Sequence, residues 1–453
     1  MHLSLNKQKI LKFLLLFSLI WMITDGIFRK WVLPSLSSQL FAAKYVFFLL
    51  VYITYFLYTP SFIGKIKHGY QFLIFTFFLW CGFEFLFVNP FNAPILVRAM
   101  GMVNYLFFIP LLAVVPKYFN SVDKIEKMVS FLAIISVPIF FLGVIQYYLP
   151  TKHILNHLVN EDQNINRVVG FTRTLSIFTF VKIYDVYLLF VLSIFFSYLF
   201  YLIHQGKKIL FIALLIPFGA LNLVMTASRL PIFLSVVILS FSLLYIFTHI
   251  HNFRKAIISF VILSLFGGVL LYNFGNTFKQ ATDAFLFRAE QQEILAEKGL
   301  EGYSAKDRLV DRLDIYKFSK EAGWLGLGIG TTYQGTGFFL NKKKEELFFE
   351  EEGERVVLEI GIIGATILLF LRLFILFFSI SFLFKIRHIK FALLTLPFVL
   401  YIIPQTFFLN NLTFNYLDGF SYWFSFALIL SVRSIYTDFL EKEKRELENI
   451  IHP

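Results

Sequence analysis

The residues best placed to do chemistry lie in one long polar stretch, 276–355, between two strongly apolar runs. Within it Arg308 and Arg312 stand four apart in Lys306-Asp307-Arg308-Leu309-Val310-Asp311-Arg312-Leu313-Asp314-Ile315-Tyr316. The spacing of Leu309, Leu313 and Tyr316 predicts an amphipathic helix over 307–322, stopped by Gly323, with both guanidiniums on one face. Two such forks suit the oxygens of a diphosphate better than lysine ammonium groups would. Asp307, Asp311 and Asp314 offer the other reading, in which the same arginines pair on a solvated helix surface. Spacing alone leaves both open.

Further on, Glu350-Glu351-Glu352-Gly353-Glu354-Arg355 directly precedes the next apolar run. A carboxylate beside an arginine, as Glu354 beside Arg355, can act as a general acid/base or orient the arginine, and Glu351 is a second candidate. A solvated charge run is the alternative. Arg229, in Thr226-Ala227-Ser228-Arg229-Leu230-Pro231, joins two apolar runs with almost no loop, so it either faces a cavity or snorkels to the interface. Arg167, in Asn166-Arg167-Val168-Val169-Gly170-Phe171-Thr172, is either a binding residue or a surface arginine near headgroups. Arg372, deep in an apolar run, is costly unless paired, with Glu84 and Asp185 as conceivable partners.

Other patterns point away from common chemistries. Gly326-Leu327-Gly328-Ile329-Gly330 lacks the strand and helix that a dinucleotide loop needs, so it reads as a tight turn returning the chain to the membrane surface. His153 and His157 have helical i, i+4 spacing but no evident third metal ligand. No HExxH, CxxC or Walker pattern occurs, so neither a metal nor a cofactor is expected.

The elements that must position these residues are set by composition. Of 453 residues 58% are hydrophobic, 61 are Phe, and mean hydropathy is +0.72, far beyond what a water-soluble core needs. Spanning helices are the default, because every backbone polar group must be satisfied inside lipid. Apolar runs of helix-spanning length fall near 11–28, 40–58, 69–88, 97–115, 128–149, 180–203, 209–226, 230–248, 255–274, 356–384, 391–409 and 418–436, about twelve in all. The expected organisation is therefore a membrane unit of nine spans (1–274), a large external loop (275–355), three more spans (356–436) and a cytoplasmic tail (437–453). A loop of roughly 80 residues is far longer than ordinary connections and is expected to be functional or separately folded.

Charge supplies the orientation. With the N-terminus inside, each inner connection is basic: Lys65/Lys67, Lys117/Lys124/Lys127, Lys207/Lys208, Arg254/Lys255, Lys385/Arg387/Lys390 and Lys442/Lys444/Arg445. The formal net charge of +12 is thereby largely an orientation signal, not a mark of nucleic-acid binding. Arg29, Lys30, Arg98 and Arg229 fall on the outer side and need another reason to be there. The first run follows Lys7, Lys9 and Lys12 as a signal peptide would, but Thr24-Asp25-Gly26-Ile27-Phe28-Arg29 is a poor cleavage site, so an uncleaved span is expected. With Cys81 as the only cysteine, no intramolecular disulfide can staple the loop.

Taken in order, these pieces resemble the O-antigen polymerase and O-antigen ligase superfamily of bacterial membrane glycosyltransferases. The likeness rests on Ser228-Arg229 closing a span, on Arg312-Leu313-Asp314-Ile315-Tyr316 followed by the Gly326 to Gly330 phrase, and on the re-entry phrase Leu358-Glu359-Ile360-Gly361-Ile362-Ile363-Gly364. The early phrase Gly26-Ile27-Phe28-Arg29-Lys30-Trp31-Val32-Leu33-Pro34 resembles a polymerase-like subgroup. The resemblance implies an all-α, GT-C-like polytopic fold in the bacterial cytoplasmic membrane. It also implies a metal-independent transfer of a glycan from an undecaprenyl-diphosphate carrier on the outer side, with a chain-length regulator as a conceivable partner protein. By position, Arg167, Arg229 and Arg312 would hold the diphosphate, with Arg308 and Arg355 as further anion-binding candidates and Glu354 as acid/base. Ligases resemble one another in a His just before the re-entry span, whereas this chain has none in 276–355. That departure favours a polymerase over transfer to lipid A core or protein. A lipid-oligosaccharide flippase or other transporter is the rival class.

Overall fold

The computed structural model describes residues 5–58, 69–90, 92–159, 167–168, 171–249, 318–332, 352–407 and 412–451, with isolated helical positions between 261 and 283. The long apolar runs fold as helices, and the Phe- and Leu-rich faces of the peripheral ones are exposed as a lipid-facing surface is. In chain order these are α1 (Leu5–Ile27), α2 (Ser37–Tyr58), α3 (Gly69–Phe87), α4 (Ile95–Leu106), α5 (Leu111–Tyr118) and α6 (Val122–Tyr148). After them come α7 (Val181–His204), α8 (Leu210–Met225), α9 (Arg229–His249), the single turn α10 (Ser319–Ala322), α11 (Glu352–Lys385), α12 (Ile389–Phe407) and α13 (Tyr416–Ile451). A two-residue antiparallel ladder, β1 (Arg167–Val168) with β2 (Phe171–Thr172), is the one strand pair among the described residues.

Seven of the described helices are long and apolar enough to cross a membrane, and the pair α4–α5, bent by 42° at Pro110, brings the number to as many as eight. This is a multi-pass membrane protein. α8 and Leu230–Tyr245 within α9 are shorter apolar helices. The expected span 255–274 lies outside the described residues, apart from isolated positions. α13 is apolar only in its first half, and from 437 to 450 every residue is exposed, so the expected tail continues the last helix.

Burial separates the centre from the rim. In α7 94% of the apolar window is buried and in α12 83%, against 22% in α3. α7 packs on α8, α9 and α12, while α12 also packs on α11 and α13, so these two helices form the axis around which the others stand.

The polar stretch 276–355 ends earlier than expected. α11 begins at Glu352 rather than 356, and Glu352 and Arg355 are already buried. The helix is broken at Gly361, whose φ of 67° and ψ of 179° are non-helical, so 352–360 forms a separate half-helix folded back against the remainder. A half-helix inside a membrane protein frees backbone groups that need partners. The glycine phrase supplies them: Leu327 N–H donates to Leu358 O (2.7 Å), Gly328 N–H to Glu359 O (3.1 Å) and Ile362 N–H to Gly323 O (3.2 Å). Trp80 Nε1 caps Ile360 O at 3.1 Å. Gly326, Gly328 and Gly330 have φ of 78°, 101° and 87°, and a Cβ on Gly326 would meet Gly361 N at 2.5 Å. The expected tight turn is therefore a fitted wedge that seals the break in α11.

Candidate functional site

The half-helix carries two buried carboxylates with different surroundings. Glu352 binds the Arg372 guanidinium through both oxygens, at 3.0 and 3.1 Å, and its Oε1 also accepts from Thr413 N–H and Oγ1, both at 2.7 Å. This corrects the expected partners of Arg372: neither Glu84 nor Asp185 pairs with it. Every oxygen of Glu352 is spent on anchoring the half-helix, which leaves it a structural group. Glu359 Oε1 accepts from Thr332 N–H (2.9 Å) and Oγ1 (2.8 Å), while its Oε2 is buried and has no hydrogen-bond partner among the described residues. The Tyr105 hydroxyl and a further buried carboxyl, Glu84 of α3, face it.

A second cluster gathers where α6, α7, α8 and α9 end together. The chain after the strand pair dips into the bundle, where Gln146 holds it by accepting from Ser176 N–H (2.6 Å) and donating to Ser176 O (2.9 Å). This places Arg173 against the connection between α8 and α9. Arg173 Nε donates to Thr226 O at 2.8 Å and Nη2 to Ser228 Oγ at 2.7 Å, so the guanidinium straddles Ala227. Ala227 has a left-handed φ of 53°, uncommon for a residue with a Cβ, and the clamp holds the turn in that conformation. The buried Asp185 faces Ser228 and Thr226 together with the charges of Arg173 and Lys182. Asp418, at the start of α13, is within electrostatic reach of Lys182, Asp185 and Glu352, which joins this cluster to the half-helix.

The expected site residues meet this frame unequally. The backbone of Arg167 pairs with Thr172, the residue before Arg173, and Arg229 is the first residue of α9, immediately after the clamped turn. The fold therefore brings positions 167, 173 and 229 to one end of the bundle. Arg355 is buried with its guanidinium 5.0 Å from the Phe414 ring centroid, beside Thr413, and Glu354 is half-buried in the first turn of α11. Glu351, Arg308 and Arg312 lie outside the described residues, as does all of the expected 307–322 helix ahead of Phe318. His153 and His157 are not on an α-helix: His153 caps a 3-10 turn, accepting from Leu155 N–H at 3.3 Å.

A third cluster explains charges left without a reason by the orientation rule. Asp25 pairs with Lys44 (3.2 Å) and Arg29 (3.4 Å), and Lys44 lies 3.0 Å from the Tyr416 ring centroid. Lys30 donates to Ser176 O at 2.8 Å, and Arg98 to Phe85 O at 2.6 Å. Of these groups, Asp25, Lys44, Arg173, Lys182 and Glu359 are not among the site residues expected from sequence. The pair Lys182 and Asp185, opening an otherwise apolar helix, and Asp25 four residues before Arg29 were the available signals.

The chain matches no protein-family model, no curated protein and no solved structure.

Proposed function

We propose that this protein is a glycosyltransferase of the bacterial cytoplasmic membrane that polymerises undecaprenyl-diphosphate-linked oligosaccharide repeat units, with the 167/173/229 end of the bundle facing outward. One observation carries the reading: Arg173 clamps the turn that presents Arg229, and the strand pair brings Arg167 to the same place. Arg167 and Arg229, brought by the backbone to one end of a membrane bundle, are positions that suit an anionic diphosphate whose lipid tail stays in the bilayer.

In this reading the bond between the anomeric carbon and the carrier diphosphate breaks, and the acceptor sugar hydroxyl forms the new glycosidic bond. The hydroxyl proton passes to a carboxylate, with Glu354 the candidate, and the carrier diphosphate leaves as the anion that the arginines stabilise. Arg308 and Arg312, from the external loop, and Arg355 would complete the anion site. The clamp makes Arg173 a positioning residue.

The test is turnover by purified protein of lipid-linked repeat units, with products resolved by size. A ladder of lipid-linked oligomers that vanishes in Arg229→Ala and Arg312→Ala supports polymerisation. Carrier release only when lipid A core or a protein acceptor is added would make the enzyme a ligase-type transferase. A flippase remains the second reading because of the half-helix at Gly361 and the bend between α4 and α5, features of transporter cores. Movement of the lipid-linked substrate across vesicles without oligomer formation would establish it in place of the transferase.

A further inference from the structure

At the end of the bundle that holds the N-terminus, α1, the connection between α5 and α6, α7 and α13 enclose a groove of 970 Å³. Its mouth is lined by Lys9, Lys12, Lys117, Lys124 and Lys127. The acidic residue lining it, Asp123, is taken by Lys127 at 2.7 Å, and among the described residues no acid pairs with the other four lysines. Lys12 and Lys124 are close enough to repel each other. Such a concentration of like charge is stabilised by a bound anion.

Beyond the lysines the groove is apolar. Leu16, Ile20 and Ile23 of α1 face Phe131 of α6 and Phe420 and Phe424 of α13 across it. Ile20 and Phe131 are each 39% exposed, so the groove opens sideways towards lipid. From Lys12 to Ile23 it runs about 16 Å along α1. That is the depth of one leaflet's chains, half of a hydrocarbon core of roughly 30 Å. A free anion would leave the apolar length unfilled, and an uncharged chain would leave Lys9, Lys12, Lys117 and Lys124 without a counter-charge, the Lys124 ammonium donating only to the neutral Asn120 Oδ1 at 2.7 Å.

We infer that this groove binds an anionic phospholipid from the leaflet on the N-terminal side, with its phosphate among Lys12, Lys117 and Lys124 and one acyl chain laid along α1 towards Ile23. The inference is independent of the transfer reaction, since the groove opens at the opposite end from the Arg173 clamp.

The experiment is native mass spectrometry of the full-length protein in a neutral detergent, titrated with phosphatidylglycerol or with phosphatidylcholine of the same chains. The wild type should retain phosphatidylglycerol about tenfold better or more. In Lys12→Gln/Lys117→Gln/Lys124→Gln that preference should fall to about twofold or less. Ile20→Trp keeps the lysines and fills the groove, and it should lower phosphatidylglycerol retention too. This second variant keeps the test open if the triple substitution fails to fold. Equal retention of the two lipids by the wild type, or unchanged phosphatidylglycerol retention in Ile20→Trp, overturns the proposal. So does displacement of the lipid by millimolar inorganic phosphate, which would mark a site for a free anion.

Discussion

Glu352 and Arg372 are 20 residues apart on what would otherwise be a single helix, yet they meet in a two-pronged ion pair at 3.0 and 3.1 Å. In an unbroken helix that separation would put them about 30 Å apart. The pair therefore depends on the break at Gly361, and the position of the half-helix depends on the pair. Removing one partner strands the other charge in a buried setting, which costs about 3–5 kcal/mol. Arg372→Met should accordingly lower the melting temperature in detergent sharply. Glu352→Gln/Arg372→Met, which removes both charges, should recover a good part of the loss. A double variant no more stable than Arg372→Met would show that the pair is not what anchors the half-helix.

The break itself can be tested by contrast between two glycines. Gly361 and Gly206 both have a positive φ, 67° and 65°, but Gly361 combines it with a ψ of 179°, a region essentially reserved for glycine, and of the two only Gly361 is in close backbone contact, with Trp324 and Leu325. Alanine at Gly206 meets no atom within 4 Å and should cost only the backbone strain, about 1 kcal/mol. Alanine at Gly361 must also push the glycine wedge away from the helix, breaking the bonds to Leu358, Glu359 and Ile362. Gly361→Ala should be the more destabilising of the two in thermal melts. Equal effects would mean that the break relaxes to a conformation alanine accepts and that the wedge follows it.

Much of this architecture was legible in the sequence because it depends on composition and length. Uninterrupted apolar runs specify apolar helices, and eleven of the twelve expected spans overlap a described helix or the bent pair over most of their length. The half-helix was not legible, since Glu352 to Ile360 has the same local character as the helix that follows, and only the contacts of Gly361 with Gly326 reveal the turn. Arg372 illustrates the same limit: its need for a partner followed from the cost of a buried charge, but which carboxylate supplied it depended on that turn. Arg173 carries no signal of its own in the sequence, since its surroundings read as an ordinary loop. Its importance arises from packing against residues more than 50 positions away.

Arg173 provides a test that separates positioning from direct contact. Losing a charged donor to Thr226 O and Ser228 Oγ weakens the clamp by about 1.5–3 kcal/mol, enough for roughly 10- to 100-fold in turnover if the turn must hold Arg229 in place. For Arg173→Ala the drop should fall mainly on kcat, with Ala227→Gly restoring part of it by removing the strain that the clamp opposes. If Arg173→Ala instead raised KM alone and Ala227→Gly made no difference, Arg173 would be a direct substrate ligand.

Glu359 and Thr332 hold the wedge against the half-helix in a way that distinguishes charge from hydrogen bonding. Glu359→Gln retains an amide oxygen that can still accept from Thr332 N–H and Oγ1, so the fold should lose little. Thr332→Val removes the hydroxyl and leaves a buried carboxylate short of one donor, a loss of about 1–3 kcal/mol. Thermal melts should therefore rank Thr332→Val below Glu359→Gln. The reverse order would mean that the charge on Glu359 itself holds the wedge, acting on groups beyond Thr332. Because Glu359 Oε2 is otherwise unpartnered among the described residues, Glu359→Gln also serves as a probe of chemistry: lost turnover in a protein that melts like the wild type would place this carboxyl, in preference to Glu354, as the acid/base group.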